Sequence, residues 1–144
     1  MVDVTTSIVI KCPWNRVFEY ASNPDNAPKW YVNIKSVQWL TPKPLKFGSK
    51  IKFKAQFLGK QLEYTYEIVE FKPESKLVMR TSQGPFPMET TYTWEEIDKK
   101  TTRMTLRNKG KSSGVSKLFV PFMSFAIKRA NMKDLRLLKE IKKK

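Results

Sequence analysis

The chain has 144 residues and fits one domain, which at this length can bury roughly 70% of the surface that the unfolded chain exposes. It has one cysteine and no histidine, which excludes an intrachain disulfide and any serine or cysteine nucleophile activated by histidine. The 28 lysines and arginines against 13 acidic residues give a net charge of +15, and thirteen of the basic residues follow position 102. Such a charge favours anionic partners, although lysines also keep an apolar protein in solution.

The first thirty residues predict a strand and then two short helices. Residues 3–11 alternate loosely and are rich in β-branched side chains, which is typical of a strand. Pro13 suits the first turn of the helix that follows, because a proline there loses no hydrogen bond. The two prolines of residues 23–30 permit only a short second helix, or a turn, that ends near Trp30.

The middle of the chain predicts six more strands, which short turns connect. Apolar and polar side chains alternate in residues 50–57, and the alternation resumes after a turn at Gly59. Turns this short make neighbouring strands antiparallel, because a parallel crossover needs about a dozen residues. The predicted strands are residues 34–40, the two arms of a hairpin at 48–71, and residues 76–82, 88–97 and 102–108.

After Ser112 or Ser113, either of which can cap it, the pattern changes to that of one long C-terminal helix. Residues 118–127 are apolar on almost all sides, which indicates burial on more than one side. Pro121 predicts either a kink or a helix that begins near it. The predicted fold class is therefore α+β. The apolar stripe of the helix is predicted to consist of Val115, Phe119, Phe122, Ala126, Ala130, Leu137 and Ile141.

This arrangement resembles the START-like (SRPBCC) superfamily, whose architecture is the helix-grip fold. The likeness covers essentially the whole chain as a single domain, residues 1–144, and is clearest in SIVIKCPWNRVFEYASNPDNAPKW, YEIVEFKPESKLVMRT and YTWEEIDKKTTRMTL. The superfamily includes birch-pollen-allergen-like proteins, polyketide cyclase/dehydrase-type proteins, coenzyme Q-binding proteins and lipid-transfer START domains. The resemblance implies a curved seven-stranded antiparallel sheet wrapped around the C-terminal helix.

The resemblance also implies an apolar cavity between sheet and helix, which holds a lipid-, quinone- or polyketide-like molecule without a covalent bond and without a cofactor. Trp30 is expected near the mouth of this cavity, and residues 84–87 in a loop that gates it. Alternation alone does not distinguish such a lining from a filled core. The residues expected to contact the ligand are Trp30, Phe53, Phe57, Tyr64, Tyr66, Met79, Tyr92, Trp94, Met104, Phe122, Met123 and Ala126.

An enzyme is the alternative, since some relatives cyclise or dehydrate polyketides. Tyr66 and Tyr92 are the catalytic candidates, because strand parity turns them inward and a tyrosine of shifted pKa can act on a substrate carbonyl. Glu70 and Glu96 lie at strand ends and are further carboxyl candidates. The sequence contains neither a metal-ligand cluster nor a glycine-rich phosphate loop, so we predict no metal and no cofactor.

The basic C-terminus, LRLLKEIKKK, leaves docking on an anionic membrane or a ribosome open, and anionic lipid attracts each nearby lysine by ~1 kcal/mol. The absence of a helix-turn-helix, a zinc module and an exposed basic–aromatic pattern argues against direct nucleic-acid binding. Neither a signal-peptide pattern nor a run of ~20 apolar residues occurs, so a cytoplasmic location is expected. The oligomeric state and the ligand's identity do not follow from the sequence.

Overall fold

The structure is a computed structural model. One antiparallel sheet forms the body of the molecule, and the predicted helices are also present. In order along the sheet the strands are Val2–Ile10 (β1), Thr101–Gly110 (β7), Met88–Asp98 (β6), Lys76–Gln83 (β5), Lys60–Lys72 (β4), Lys50–Phe57 (β3) and Ile34–Trp39 (β2), so the first and last strands of the chain are neighbours. The structure describes residues 2–57, 59–73, 75–83, 87–110 and 119–143, and their side chains except at 57, 83, 119–123 and 143.

The elements follow the predicted order. Pro24–Asn26 forms a 3₁₀ turn between the first two helices. The bounds are β1 Val2–Ile10, α1 Trp14–Ala21, α2 Ala27–Trp30, β2 Ile34–Trp39, β3 Lys50–Phe57, β4 Lys60–Lys72, β5 Lys76–Gln83, β6 Met88–Asp98, β7 Thr101–Gly110 and α3 Phe119–Lys143. The prediction of a curved seven-stranded antiparallel sheet with two short helices and a long C-terminal helix is confirmed.

Alternation along β3 and β4 sends one set of side chains inward and the other outward. Gly59 has a φ of +78°, a conformation that glycine adopts without strain, and it allows the tight turn between the two strands. On the outer face Lys54 lies opposite Glu63 in the strand register, and Lys52 Nζ lies 2.5 Å from Glu63 Oε1. This ion pair is partly exposed and contributes little to stability, so it mainly keeps the outer face solvated.

Helix α3 packs across the inner side of the sheet. Its described part begins at Phe119, and Pro121 lies close to that end. Whether the helix starts near Pro121, as one of the two predicted alternatives has it, concerns residues before 119, which lie outside the described residues. The predicted caps, Ser112 and Ser113, lie outside the described residues.

The buried stripe of α3 differs from the predicted one. Leu135 and Leu138 are fully buried, whereas Leu137, which was expected to be buried, is exposed. The prediction was wrong here because it took the orientation of the stripe from residues 118–127. These are apolar on almost all sides and therefore do not fix which side of the helix faces the sheet.

A tightly packed cluster fills the end of the molecule nearest to α1. Leu135 and Leu138 belong to it, together with Trp30, Trp94 and Met104, and all five are almost completely buried. The ring of Phe18 meets that of Trp94 edge-on at 5.1 Å between centroids. This end of the molecule is therefore a conventional solid core.

Across the ranges that the structure describes, every helix falls short of the length and hydropathy that a membrane span requires.

Candidate functional site

A pocket of about 170 Å³ lies between the sheet and α3, and we call it the inner pocket. Its walls are mostly apolar or aromatic, with a few polar groups among them. An engineered protein cavity of about 150 Å³ binds benzene, so the inner pocket can hold at least one aromatic ring. The sheet contributes Phe53, Ala55, Leu62, Tyr64, Tyr66, Met79, Met88, Thr90, Tyr92 and Asn108, and Ile127, Ala130, Asn131 and Asp134 come from α3.

Two regular spacings place these side chains on the pocket. Along β4, Leu62, Tyr64 and Tyr66 are two residues apart and so share the inner face. The strand register sets Phe53 of β3 directly opposite Tyr64, so the walls of the two strands are continuous. On α3 the lining residues 127, 130, 131 and 134 follow the helical repeat of three and four, which places them on one face.

A cluster of polar side chains, namely Tyr31, Tyr92 and Asp134, lies in the part of the pocket next to α2. The hydroxyls of Tyr31 and Tyr92 form a hydrogen bond with each other. The backbone N–H of Val32 donates to Oδ1 of Asp134 at 2.8 Å, which links the segment before β2 to α3. Asp134 is only 2% exposed, so its carboxyl is held in a protein environment with almost no contact with solvent.

Burial changes the acidity of these groups. It raises the pKa of Asp134 to about 7, because an apolar environment disfavours the carboxylate. The hydrogen bond from Val32 and the charge of Lys133 offset only part of the effect. Burial also raises the pKa of Tyr66 to about 12 and the pKa values of Tyr31 and Tyr92 well above the ordinary tyrosine value. Near neutral pH the tyrosines are therefore protonated, and Asp134 is the group that can gain or lose a proton.

Three further polar side chains border the pocket, namely Thr90, Asn108 and Asn131. The hydroxyl of Thr90 donates to Oδ1 of Asn108 at 2.8 Å, and both residues are buried. Asn131 of α3 is also buried, but its Nδ2 has no hydrogen-bond partner among the described residues. Unpartnered buried donors are uncommon in folded proteins, so Asn131 stands out among the polar groups of the pocket.

The structure places the expected ligand-binding residues in three groups. Five line the inner pocket: Phe53, Tyr64, Tyr66, Met79 and Tyr92. Trp94 and Met104 lie in the solid core, and Ala126 is half-buried on α3 without bordering the pocket. The side chains of Phe57, Phe122 and Met123 lie outside the described residues. That any of these residues binds a ligand stays a prediction.

Trp30 occupies a different place from the expected one. It is fully buried in the core rather than at a pocket mouth, and its ring packs against that of Tyr31 with 4.1 Å between centroids. Trp30 is the last residue of the four-residue helix α2, and its side chain belongs to the same buried cluster as Trp94 and Met104. Of the expected gating loop, residues 84–86 lie outside the described residues.

Sequence reasoning missed most of the other pocket residues, among them Tyr31, Asn131 and Asp134. Tyr31 follows a helix too short to give a periodic signal. Asn131 and Asp134 are polar residues on a helix, and such residues usually face solvent. Their spacing from Ile127, Leu135 and Leu138 was the available signal, because all five share the buried face.

The class of protein follows from a comparison of the sequence with known families. A family model described as polyketide cyclase / dehydrase and lipid transport matches residues 1–141. The chain therefore belongs to this family, which confirms the START-like resemblance. No curated protein matches the chain.

Solved structures with the same fold come from several branches of the superfamily. A START superfamily protein from Mycobacterium smegmatis superposes with a TM-score of 0.83 at 12% identity, covering 97% of this chain and 96% of that one. The Zhui aromatase/cyclase from Streptomyces sp. R1128 has a TM-score of 0.81 at 12% identity, with 96% and 91% covered. Ginseng major latex-like protein 151 from Panax ginseng has a TM-score of 0.73 at 13% identity, with 97% and 96% covered. At these identities the likeness shows the fold alone.

Within the described ranges, no three Cys, Asp or Glu side chains come together in a group that could hold a metal ion.

Proposed function

We propose that this protein binds a hydrophobic small molecule non-covalently in the inner pocket. The observation that supports this most is the pocket itself, about 170 Å³ of space with mostly apolar and aromatic walls. Protein interiors are packed as densely as organic crystals and leave few voids larger than water, so a space of this size is unusual in a plain core. The family description, which includes lipid transport, points in the same direction.

The size of the pocket bears on the class of guest. Pockets that enclose drug-sized ligands have volumes of about 300–1,000 Å³, well above the 170 Å³ of the inner pocket. The part of a lipid-, quinone- or polyketide-like guest that enters is therefore about as large as one aromatic ring. Aromatic walls suit such a ring, because edge-on and offset contacts with Phe53 and Tyr64 are available to it.

Native mass spectrometry of the purified protein, followed by organic extraction, tests for a guest directly. We expect a mass increment that disappears on denaturation, and a small apolar molecule in the extract. A clean extract, together with no thermal shift from a panel of lipids, quinones and polyketides, would contradict the proposal.

A substitution that fills the pocket tests where the guest binds. Ala130 of α3 borders the inner pocket, so a phenylalanine there would occupy space that the guest needs. We expect Ala130→Phe to weaken binding of any guest at least tenfold. Arg129→Phe makes the same aromatic addition at an exposed position of α3 and should leave affinity unchanged. Equal affinities in the two variants would show that the guest binds elsewhere.

Catalysis of the cyclase/dehydrase type is a second candidate, and Asp134 is the observation that favours it. A buried carboxyl with a pKa of about 7 can take a proton from a substrate near neutral pH. The Tyr31 and Tyr92 hydroxyls lie near enough to Asp134 to be influenced by its charge, and could donate hydrogen bonds to a substrate carbonyl. Among the predicted catalytic candidates, Tyr66 and Tyr92 fit this role as donors rather than as bases.

Turnover of aromatic polyketide mimics separates the two candidates. If the protein is an enzyme, Asp134→Asn should abolish turnover while the protein still binds the mimics, with at most a severalfold loss of affinity, since asparagine can still accept the Val32 hydrogen bond. If wild-type protein binds the mimics without converting them, catalysis is excluded for that class and the carrier function stands. Docking of the basic C-terminus on anionic lipid stays a separate prediction, which liposome co-sedimentation at two salt concentrations would test.

A further inference from the structure

The buried side-chain amide of Asn131 on α3 indicates which chemical group of the guest enters the pocket. Asn131 is 6% exposed and borders the inner pocket. Its Nδ2 finds no acceptor in the described part of the chain. Buried donors in folded proteins are almost always satisfied by protein, water or ligand. The partner of this donor is therefore to be sought in the space of the pocket.

Asp134 lies one helical turn further along the same face of α3. It also borders the pocket, and its Oδ1 is held by the N–H of Val32 at 2.8 Å. That bond fixes the direction of the carboxyl, while no donor among the described residues contacts Oδ2. Residues three apart on a helix are neighbours, so Asn131 and Asp134 present a donor and an acceptor side by side.

Four other polar side chains of the pocket already have hydrogen-bond partners within the protein. Thr90 donates to Asn108, and the hydroxyls of Tyr31 and Tyr92 bond to each other. Asn131 and Asp134 differ from these groups, because Nδ2 of Asn131 is a donor without an acceptor and Oδ2 of Asp134 is an acceptor without a donor among the described residues.

We propose that Asn131 and Asp134 together recognise a hydroxyl group on an aromatic guest, whose O–H donates to Asp134 and whose oxygen accepts from Nδ2 of Asn131. This assignment rests on the proposed function, since it names the chemical class of the guest and the residues that select it. The rest of the guest lies against the apolar wall formed by β3 and β4.

A hydroxyl fits this pair better than a charged group does. A carboxylate would bring a second negative charge next to an ionised Asp134, and a protonated amine would leave the Asn131 donor without an acceptor. A hydroxyl is donor and acceptor at once, so it satisfies both residues. A carboxyl group accepts a hydrogen bond in either protonation state, so this fit does not depend on whether Asp134 is ionised.

Phenol and toluene form a matched pair of probes for this site, because they differ by one hydroxyl in place of one methyl. Calorimetric titration of both ligands gives the ratio of the toluene dissociation constant to the phenol dissociation constant. We expect Asn131→Leu to lower this ratio about fivefold, the value of one lost hydrogen bond in a buried site. Asp134→Asn should lower it by a similar factor, because an N–H donor replaces the free acceptor Oδ2.

Asn15→Leu is the control, because it makes the same substitution at an exposed position of α1 that does not border the inner pocket. It should leave the ratio unchanged. Toluene binding reports in every variant whether the pocket is still folded. An unchanged ratio in Asn131→Leu, or an equal fall in Asn15→Leu, overturns the hydroxyl site while the carrier function stands. Failure of wild-type protein to bind either probe instead overturns the carrier function for one-ring guests, and the hydroxyl site with it.

Discussion

The two ends of the interior are built from the same alternating strands, yet one is solid and the other holds a pocket. In the solid end, Leu135 and Leu138 of α3 are completely buried in a cluster with Trp94 and Met104. At the pocket end, α3 presents Ala130 and Asn131 to the strands instead. The sheet contributes large side chains at both ends, so the difference lies mainly in the helix.

This difference shows that a helix with small or polar residues at a few inward positions can leave space beneath an aromatic sheet. Leucine at those positions fills the gap, whereas alanine is several methylene groups too short. Asp134 lies where the two ends meet, next to Leu135 along the chain. Substitutions on α3 therefore test the comparison most directly.

The largest effect is expected from the pH dependence of stability that Asp134 causes. Its pKa is about 7 in the folded protein against an ordinary value of 3.8, so the folded state binds the proton more tightly. Its contribution is fully present below pH 3.8 and is lost as the pH rises to about 7. The difference corresponds to about 4 kcal/mol. Denaturant unfolding at pH 4.5 to 8 should show this decline in the wild-type protein and little of it in Asp134→Asn.

The other groups of the pocket with shifted pKa values do not titrate in this window. The chain has no histidine, and the pocket tyrosines Tyr31, Tyr66 and Tyr92 have pKa values far above it. Lys133 is the cationic neighbour on α3. The carboxyls whose pKa values are lowered by ion pairs or hydrogen bonds lose their stabilising effect only at lower pH. A decline that persisted unchanged in Asp134→Asn would have to come from another group.

Leu135→Ala probes the solid end, and Ile127→Ala is its counterpart at the pocket. Leu135 is completely buried, so its loss leaves a cavity among close-packed neighbours and should cost about 3 kcal/mol of unfolding free energy. Ile127 is 8% exposed and already borders open space, so we expect about half that cost. Chemical denaturation measures both. Equal costs would mean that the two ends are packed alike, contrary to the comparison.

Ala130→Phe should remove the difference between the two ends by filling the pocket. The buried ring gains more from its contact with apolar walls than the helix loses from the poorer propensity of phenylalanine, so stability should rise by about 1 kcal/mol. A fall in melting temperature would instead indicate that the space is too small for the ring.

The smallest expected effect on stability belongs to Asn131→Leu. In the absence of a guest, removing an unpartnered buried donor should be neutral or stabilising by up to about 1 kcal/mol. Thermal unfolding without ligand measures this change. A clear destabilisation would mean that Asn131 has a structural partner in the folded protein.

The fold could be predicted from the sequence because half-buried strands alternate and the turns between them are short. The inward face of β3 and β4 could also be predicted from the sequence. Phe53, Tyr64 and Tyr66 border the pocket, as their alternation along the strands indicates. What alternation does not give is the volume left between facing elements. For that reason Trp30, Trp94 and Met104 could not be separated from the pocket residues before the structure was known.

The polar groups of the pocket could not be predicted from the sequence for a different reason. Asp134 looks like a solvated residue of a basic helix until the rotation of α3 is known. Its partner, the N–H of Val32, is 102 positions away along the chain, and no local pattern connects the two. The donor–acceptor pair of α3 is a property of tertiary structure.

The pairing of β1 with β7 has a consequence for how the chain acquires its fold. Val2 lies opposite Gly110 in the register, so the first strand has no neighbour in the sheet until the last strand is available. During synthesis strand β1 must therefore stay unpaired until residues 101–110 have been made. Contacts between such distant segments slow folding, and a domain closed in this way is expected to need milliseconds to seconds rather than microseconds.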